Sequence, residues 1–289
     1  MTPQPEPDIV AFIAENSRFP HLGDPVNPWD YRGWLLPYVF NVPACVKDLP
    51  DRWDYLQRTV AAGKLLDEPI PRITFLDSYE RSDTMKQVMK WIDLVDRYEG
   101  GWSSFLRLIE WLAWALGVSK YQPKMREGAD EALYRAINII PLLQNPSDYF
   151  GAILAEHRGG GKTWNPNAFY PTPHNVCEMM AQMLIGADEG DLRKANVCDP
   201  CVGTGRMLLH ASNFSMCLYG MDIDQTVCTI SKINGVLYAP WMVVPLPAAI
   251  IGHPVPAPPP APLPLPHEQQ PEPGTEVFRC DDKGQGMLF

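Results

Sequence analysis

The sequence lacks the long apolar run that a membrane span requires. No stretch reaches the roughly 18 uncharged apolar residues expected of a transmembrane helix, and residues 1–20 are acidic and rich in proline. They lack the basic start and the apolar segment of a secretory signal. The sequence therefore predicts a protein without membrane contact that remains in the cytoplasm.

Cysteines are too scattered for a disulfide framework, and basic clusters are missing. The chain holds 7 cysteines, an odd number spread from Cys45 to Cys280, which is typical of a reducing compartment. The net charge is −10 at pH 7, and no dense stripe of lysine and arginine is visible. Because nucleic-acid binding depends on clustered cations, any contact with DNA must use a local patch or a partner chain.

Composition divides the chain into three predicted regions. Residues 1–120 are aromatic-rich and mostly helical, residues 121–239 alternate between α and β segments, and residues 240–289 form a proline-rich tail. The 13 prolines between residues 240 and 273 favour an extended polyproline segment over a packed helix or sheet. Apolar periodicity and stop signals predict helices over these ranges: 52–66, 83–99, 102–116, 127–143, 148–157 and 175–185.

Residues 195–237 follow the order strand, glycine turn, helix, strand, acid, helix. This order is typical of the nucleotide-binding half of a doubly wound parallel sheet, whose ligand lies beyond the carboxyl ends of the strands. Gly203 and Gly205 let the backbone approach a ligand. Asp222, after the second strand, is placed to accept hydrogen bonds from two ribose hydroxyls. The predicted fold class is therefore α/β, with a Rossmann-like core built on a partial doubly wound sheet. Strands are predicted at 195–198 and 216–221, and helices at 206–212 and 225–237.

Three sequence motifs carry a resemblance to a known family. DPCVGTG (199–205) resembles the first motif of the N6-adenine DNA methyltransferases, in particular the modification subunits of type I restriction-modification systems. YGMDID (219–224) resembles their second motif, and FYPTPHNVCEMM (169–180) resembles the motif that precedes both. The resemblance covers roughly residues 125–238 and implies S-adenosylmethionine as cofactor and adenine in DNA as target.

The resemblance also implies a role for each matching residue. Asp199, Gly203 and Gly205 would line the methionine end of S-adenosylmethionine, and Pro200 lies in the same turn. Asp222 would bind the ribose, with Ile223 beside the adenine. Three further residues would close the cofactor pocket: Tyr170, Thr172 and Pro173.

Three other patterns are weighed and set aside. A NAD site would need a third glycine where Leu208 stands. Cys198 and Cys201 have metal or redox spacing, but they lie inside the cofactor turn without a second pair, so no metal site is predicted. The GGGKT segment (159–163) resembles a phosphate loop, but Glu156 replaces its first glycine and no apolar strand precedes it. A flexible link, with Lys162 touching DNA, fits this segment better.

The catalytic motif of the family is absent from its expected place. Adenine methylation uses an Asn/Asp-Pro-Pro-Tyr/Phe segment that binds the target amine and stacks on the flipped base. The nearest fragments are Ala239-Pro240-Trp241, which comes too early, and Asn27-Pro28-Trp29, which would need a permuted order. No catalytic residue is therefore assigned. The remaining strands of the sheet are also missing, and an open sheet edge needs a cover, either residues 1–120 or a partner chain.

The last residues suggest a second kind of partner. Gln285, Met287, Leu288 and Phe289 resemble the bacterial sliding-clamp-binding peptide, although Gly286 departs from its usual leucine. Two functions stay open at this point. One is a DNA adenine-N6 methyltransferase whose catalytic motif is degenerate or supplied by another chain. The other is a non-catalytic module, derived from a methyltransferase, that binds cofactor, DNA or replication proteins.

Overall fold

The computed structural model describes residues 27–75, 83–100, 103–159, 169–185, 190–252, 279–280 and 286–287. Helices predominate in these ranges. Those that precede the cofactor motifs are α1 (Leu36–Cys45), α2 (Arg52–Ala62), α3 (Asp83–Glu99), α4 (Ser103–Ala115), α5 (Ala129–Ala136), α6 (Ile140–Gln144) and α7 (Tyr149–Gly159). The other helices lie within, between or after these motifs and are α8 (His174–Leu184), α9 (Arg206–Ala211), α10 (Gln225–Tyr238) and α11 (Ala248–Ile251). Short 3-10 turns lie at Pro28–Asp30, Leu192–Lys194 and Pro240–Met242.

Local signals explain where these helices begin and end. Asp51 caps α2 by accepting a hydrogen bond from Asp54 N at 2.9 Å. Gly63, in the left-handed region with φ 63°, ends the same helix, so the predicted helix over 52–66 stops earlier. The single helix predicted over 127–143 is wrong, because α5 ends at Ala136 and α6 begins at Ile140. Pro141 causes the break, since its ring would clash with the carbonyl of residue 137 in a continuous helix.

A small parallel sheet holds the predicted cofactor motifs. Strand β1 (Asn196–Asp199) pairs in parallel with β2 (Cys217–Gly220), in the register Asn196↔Cys217 and Asp199↔Gly220. Helix α9 connects the two strands, and α10 follows the second. The strand, helix, strand order and the α/β class are therefore observed, and these two strands are the whole of this sheet in the described part of the chain.

The helices before the motifs share one core with the residues after them. Helix α10 packs on α4, and α3 packs on α4. Trp53, on α2, donates its ring N–H to Val236 O at 2.8 Å. Residue contacts divide the chain only after residue 253. The predicted boundaries at 120 and 239 thus mark changes of composition, not gaps between compact units.

Residues 240–252, which the sequence assigns to the tail, are part of this core. A 3-10 turn and α11 form there, and the side chains of Trp241, Val244, Leu246 and Ile251 are buried. The three prolines of this stretch fall at the starts of helical turns or between them, where a missing N–H costs little. The large apolar side chains of this stretch bury enough surface to hold it in the core, although its proline content predicts an extended tail.

The second unit is described only by its short strands. Strand β3 (Arg279–Cys280) pairs antiparallel with β4 (Gly286–Met287). The remaining residues of the proline-rich stretch after 252, with Gln285, Leu288 and Phe289 of the predicted clamp peptide, lie outside the described residues, as does the GGGKT segment after Gly159. Among the helices that are described, none combines the length and the apolar character needed to cross a bilayer.

Candidate functional site

A cleft of about 240 Å³ opens at the carboxyl ends of β1 and β2. Five residues predicted from the motifs line it: Tyr170, Thr172, Asp199, Gly203 and Asp222. The cleft is also lined by residues that were not predicted, among them Phe169, Thr204, Arg206, Met207 and Val227. Its position agrees with the rule that ligands of parallel sheets bind beyond the strand ends.

Asp222 ties the two motifs of the cleft together. Its Oδ2 accepts a hydrogen bond from Gly203 N at 2.9 Å, and its Oδ1 accepts one from Asp224 N at 3.0 Å. An ionised carboxylate has about four acceptor sites, so Asp222 can still accept hydrogen bonds from a ligand. Asp224 has another task, because its Oδ1 caps α10 by accepting from Thr226 N at 2.8 Å.

The two glycines of the turn have different reasons to be glycine. Gly203 has φ 53°, and a Cβ there would lie 3.2 Å from Phe169 Cε2 at the wall of the cleft. Gly205 has φ 90°, and its Cβ would lie 2.7 Å from Ser231 Oγ on α10. Gly203 therefore keeps space beside the cleft, whereas Gly205 lets helices α9 and α10 pack closely.

Four predicted site residues do not line the cleft, namely Pro173, Pro200, Gly205 and Ile223. Pro173 occupies the N-cap position of α8. Pro200 is exposed on the turn after β1. Ile223 is 89% exposed next to Asp222, and Tyr170 is 74% exposed on the preceding motif.

A buried acid organises the cleft from below. Asp148 is 0% exposed and precedes α7. Its Oδ2 accepts from Arg206 Nε at 2.7 Å and from Thr204 Oγ1 at 2.5 Å, and its Oδ1 accepts from Asn234 Nδ2 at 2.9 Å. Gly151 N also donates to Oδ1, at 2.9 Å. Burial alone would raise the pKa of Asp148, but Arg206, Thr204 and Asn234 outweigh it and hold the pKa below its ordinary value.

The same network reaches the Tyr-Thr-Pro motif. Arg206 Nη1 donates to Thr172 O at 3.2 Å, so one guanidinium joins the floor of the cleft to its upstream wall. Asn234 Nδ2 also donates to Thr204 O at 2.9 Å. The sequence carries no local signal for this group, because Asp148 is the first residue of the helix predicted over 148–157 and its partners stand 56 to 86 residues further along the chain.

A pair of histidines is buried beside this network. His174 Nδ1 lies 3.0 Å from His210 Nε2, and Phe75 stacks on His174 with ring centroids 5.8 Å apart. Ser147 Oγ is 3.4 Å from His174 Nε2. Burial, and then the charges of His174 and Arg206, lower the pKa of His210 to about 4. His210 is therefore neutral in the folded protein at physiological pH.

This lowered pKa predicts a loss of stability in mild acid. The ordinary pKa of histidine is 6.5 and that of folded His210 is about 4, so between these values the unfolded chain binds more protons. The stabilisation is complete above pH 6.5 and is lost as the pH falls towards 4, with a slope of up to about 1.4 kcal/mol per pH unit.

Urea unfolding at several pH values between 7 and 4.5, roughly the window of this titration, measures the effect. In the His210→Gln variant the slope due to this group should disappear, although the variant is less stable at neutral pH. An unchanged slope in that variant would show that other groups cause the pH dependence.

Both fragments that resemble the catalytic motif have structural roles. Trp241 is 1% exposed, and the Arg52 Cζ atom lies over its ring, 5.2 Å from the ring centroid. The Trp241 ring therefore cannot stack on an extruded base. Asn27 binds Asp30 at the start of a 3-10 turn, and Trp29 packs on Tyr134 with ring centroids 5.3 Å apart.

The Cys198/Cys201 pair is exposed at the turn. No group of three or more potential metal ligands occurs in the described ranges.

Comparison with known protein families supports one assignment for the segment that forms the cleft. A model of the N-6 DNA methylase family matches residues 161–239, the segment that carries β1, β2 and all the residues that line the cleft. No curated protein and no solved structure shows significant similarity to the chain. Residues 161–239 are thus similar to a DNA methylase, and this similarity supports the family indicated by the three motifs.

Proposed function

We propose that this chain binds S-adenosylmethionine in the cleft at the ends of β1 and β2, as part of a DNA adenine-N6 methyltransferase system. The observation that carries the proposal is the position of Asp222, which accepts a hydrogen bond from Gly203 N at 2.9 Å and lines the cleft within the matched segment. The order of the three motifs further supports a chain that resembles the modification subunits of type I restriction-modification systems.

The chemistry of the cleft suits this cofactor. Three carboxylates line it, on Asp199, Asp222 and Asp224, while the guanidinium of Arg206 is engaged by Asp148. S-adenosylmethionine carries a positive sulfonium and an ammonium group, and these favour an acidic cleft. When bound, it would supply an electrophilic methyl group.

Each residue of the cleft has a proposed task. Asp222 would accept hydrogen bonds from the ribose hydroxyls, and Asp199, with Gly203 beside it, would hold the methionine end. The exposed side chains of Tyr170 and Ile223 would cover the adenine ring, which gives a reason for their exposure of 74% and 89%. Thr172 would be kept in place through its carbonyl by Arg206.

The methyl-transfer step needs an acceptor site that the described residues do not supply. We propose that a partner chain provides the Asn/Asp-Pro-Pro-Tyr/Phe segment and contacts DNA. The alternative is a non-catalytic module that keeps cofactor or DNA binding, and the buried position of Trp241 favours it over catalysis by this chain alone. A co-purified partner that restores methyl transfer to adenine would decide for the split enzyme.

The clamp-like terminus belongs to the alternative function. Gln285, Leu288 and Phe289 lie outside the described residues, and Met287 is part of β4. Docking on a sliding clamp would place the module at replication sites. The clamp-binding role is supported by the sequence pattern alone.

Calorimetric titration of S-adenosylmethionine into the purified chain tests the cofactor site. We expect micromolar affinity, about −8 kcal/mol, which is lost in the Asp222→Ala variant. Asp93→Ala removes an equal charge from an exposed position on α3 and should bind as the unmodified chain does. Thermal melting of both variants separates lost binding from lost folding, and absence of binding by the unmodified chain would overturn the proposal.

A further inference from the structure

A second concave surface lies beside the cofactor cleft. It has a volume of about 660 Å³ and is formed by α4, residues 118–124 and the first turns of α10. Thr226 and Thr229 line this surface, whereas Val227 on the same helix lines the cleft. The two sites therefore share the start of α10.

The charge of this surface is opposite to that of the whole chain. Four cationic side chains line it, on Arg107, Lys120, Lys124 and Lys232, against the single carboxylate of Glu110. We call these four residues the basic groove. The chain as a whole has a net charge of −10, so a local excess of positive charge is a specific feature of this face.

Three of these four cations form no ion pair with a carboxylate of the described residues. Arg107 pairs with Glu110 at 2.8 Å. Lys120, Lys124 and Lys232 are exposed, and no ion pair of theirs is found within the described ranges. Three solvated ammonium groups on one concave face are suited to an anionic partner.

The positive charge continues beyond the basic groove. Lys124 also lines an adjoining depression, together with Arg97 and Arg126. Glu127 is the carboxylate on its surface, and Glu99 pairs with Arg126 at 3.8 Å. The cations thus line two depressions that share Lys124, which fits an extended polyanion better than a small anion.

An exposed aromatic residue lies between Lys120 and Lys124 in the sequence and lines the same surface. Tyr121 is 84% exposed, and its backbone is fixed by Ser119, whose Oγ accepts from Tyr121 N at 3.1 Å and donates to Tyr121 O at 3.0 Å. Hydroxyl and amide groups of Thr226, Thr229 and Gln225 lie on the same face. Cations, hydroxyls and amides are the groups that contact phosphate and sugar in nucleic-acid complexes, and an aromatic ring can stack on a base.

We propose that the basic groove binds the phosphate backbone of DNA and so places the duplex next to the cofactor cleft. This inference deepens the proposed function and rests on it for the choice of DNA among polyanions. The sequence hides the groove because its cations come from separate segments, at residues 107, 120–124 and 232. Folding brings them onto one face.

Fluorescence anisotropy with a labelled duplex of mixed sequence tests the groove in the full chain. The Lys120→Gln/Lys124→Gln variant should bind about 10- to 100-fold more weakly at 0.1 M salt, for every duplex sequence alike. The slope of log K against log salt concentration, which is negative, should become shallower by about 1.8, since each lost phosphate contact removes about 0.9. Lys232→Gln by itself, on a different element, should make the slope shallower by about half as much, because it removes one contact and not two.

A matched control is available on other faces. Lys47→Gln/Lys64→Gln removes the same charge from exposed positions that line neither the groove nor the cleft and should leave the slope unchanged. Equal losses in the two double variants, no binding of duplex by the unmodified chain, or tighter binding of an acidic peptide than of duplex would each overturn the proposal.

Titration of S-adenosylmethionine separates this proposal from the proposed function. Cofactor binding without groove-dependent DNA binding would overturn the groove and leave the cofactor site standing. Groove-dependent DNA binding without cofactor binding would support the groove and overturn the cofactor site.

Discussion

Replacing Asp148 with alanine is expected to lower the free energy of unfolding by about 3–5 kcal/mol, the usual cost of removing one partner from a buried ion pair. The guanidinium of Arg206, whose Nε lies 2.7 Å from the Asp148 carboxylate, would lose its buried counter-charge. Thr204 Oγ1 and Asn234 Nδ2 would lose an acceptor at the same time. Urea unfolding measures the change, and weaker cofactor binding should accompany it because Thr204 and Arg206 line the cleft.

Asp51→Ala is the matched control for this variant. Asp51 accepts from Asp54 N at 2.9 Å at the start of α2, as Asp148 accepts from Gly151 N at the start of α7, but no ion pair of Asp51 is found among the described residues. Its loss should cost about 1 kcal/mol, the usual effect of a missing cap. If the two variants lost equal stability, Asp148 would be acting as a helix cap and not as the counter-charge of the network.

The second large effect is expected from Arg52→Ala, at about 2–4 kcal/mol. Arg52 is buried on α2, and it donates to Pro71 O at 2.8 Å, Ser212 Oγ at 2.6 Å and Tyr238 O at 3.0 Å. Burial lowers the pKa of Arg52 to about 9, so the side chain is charged at neutral pH. Alanine would leave a cavity above Trp241 and two backbone carbonyls without their donor.

Arg58, on the same helix, provides the comparison. It is about half exposed and forms ion pairs with Asp54 and Glu68. Arg58→Ala should cost much less stability than Arg52→Ala, because solvent screens exposed pairs. Chemical unfolding of the two variants side by side gives the difference, and similar losses would contradict the role assigned to Arg52.

Elements with strong local signals are those that the sequence predicts well. The helix at 83–99 follows from buried apolar positions such as Met85, Val88 and Val95 and from the stop at Gly100. Both strands, β1 and β2, are predicted within one residue at each end, because short apolar runs are bounded by a glycine turn and an acid. The cleft is found for the same reason, since its motifs are contiguous in sequence.

Features that depend on long-range contacts are not visible in the sequence. The partners of Asp148 lie 56, 58 and 86 residues away, and no local pattern connects them. Residues 240–252 are assigned to the tail because their proline content predicts an extended segment, whereas the buried side chains of Trp241 and Leu246 hold them in the core. Gly205 has the spacing of a ligand-binding glycine, but its missing side chain serves helix packing against Ser231.

The bonds of Arg52 also set the order of events during synthesis of the chain. Its acceptors Ser212 and Tyr238 lie 160 and 186 residues further along. At translation rates of about 5–20 residues per second, α2 would leave the ribosome roughly 9–37 s before both partners exist. During that interval Trp53 and Arg52 lack the residues that bury them, so completion of the core waits for the segment that follows the cofactor motifs.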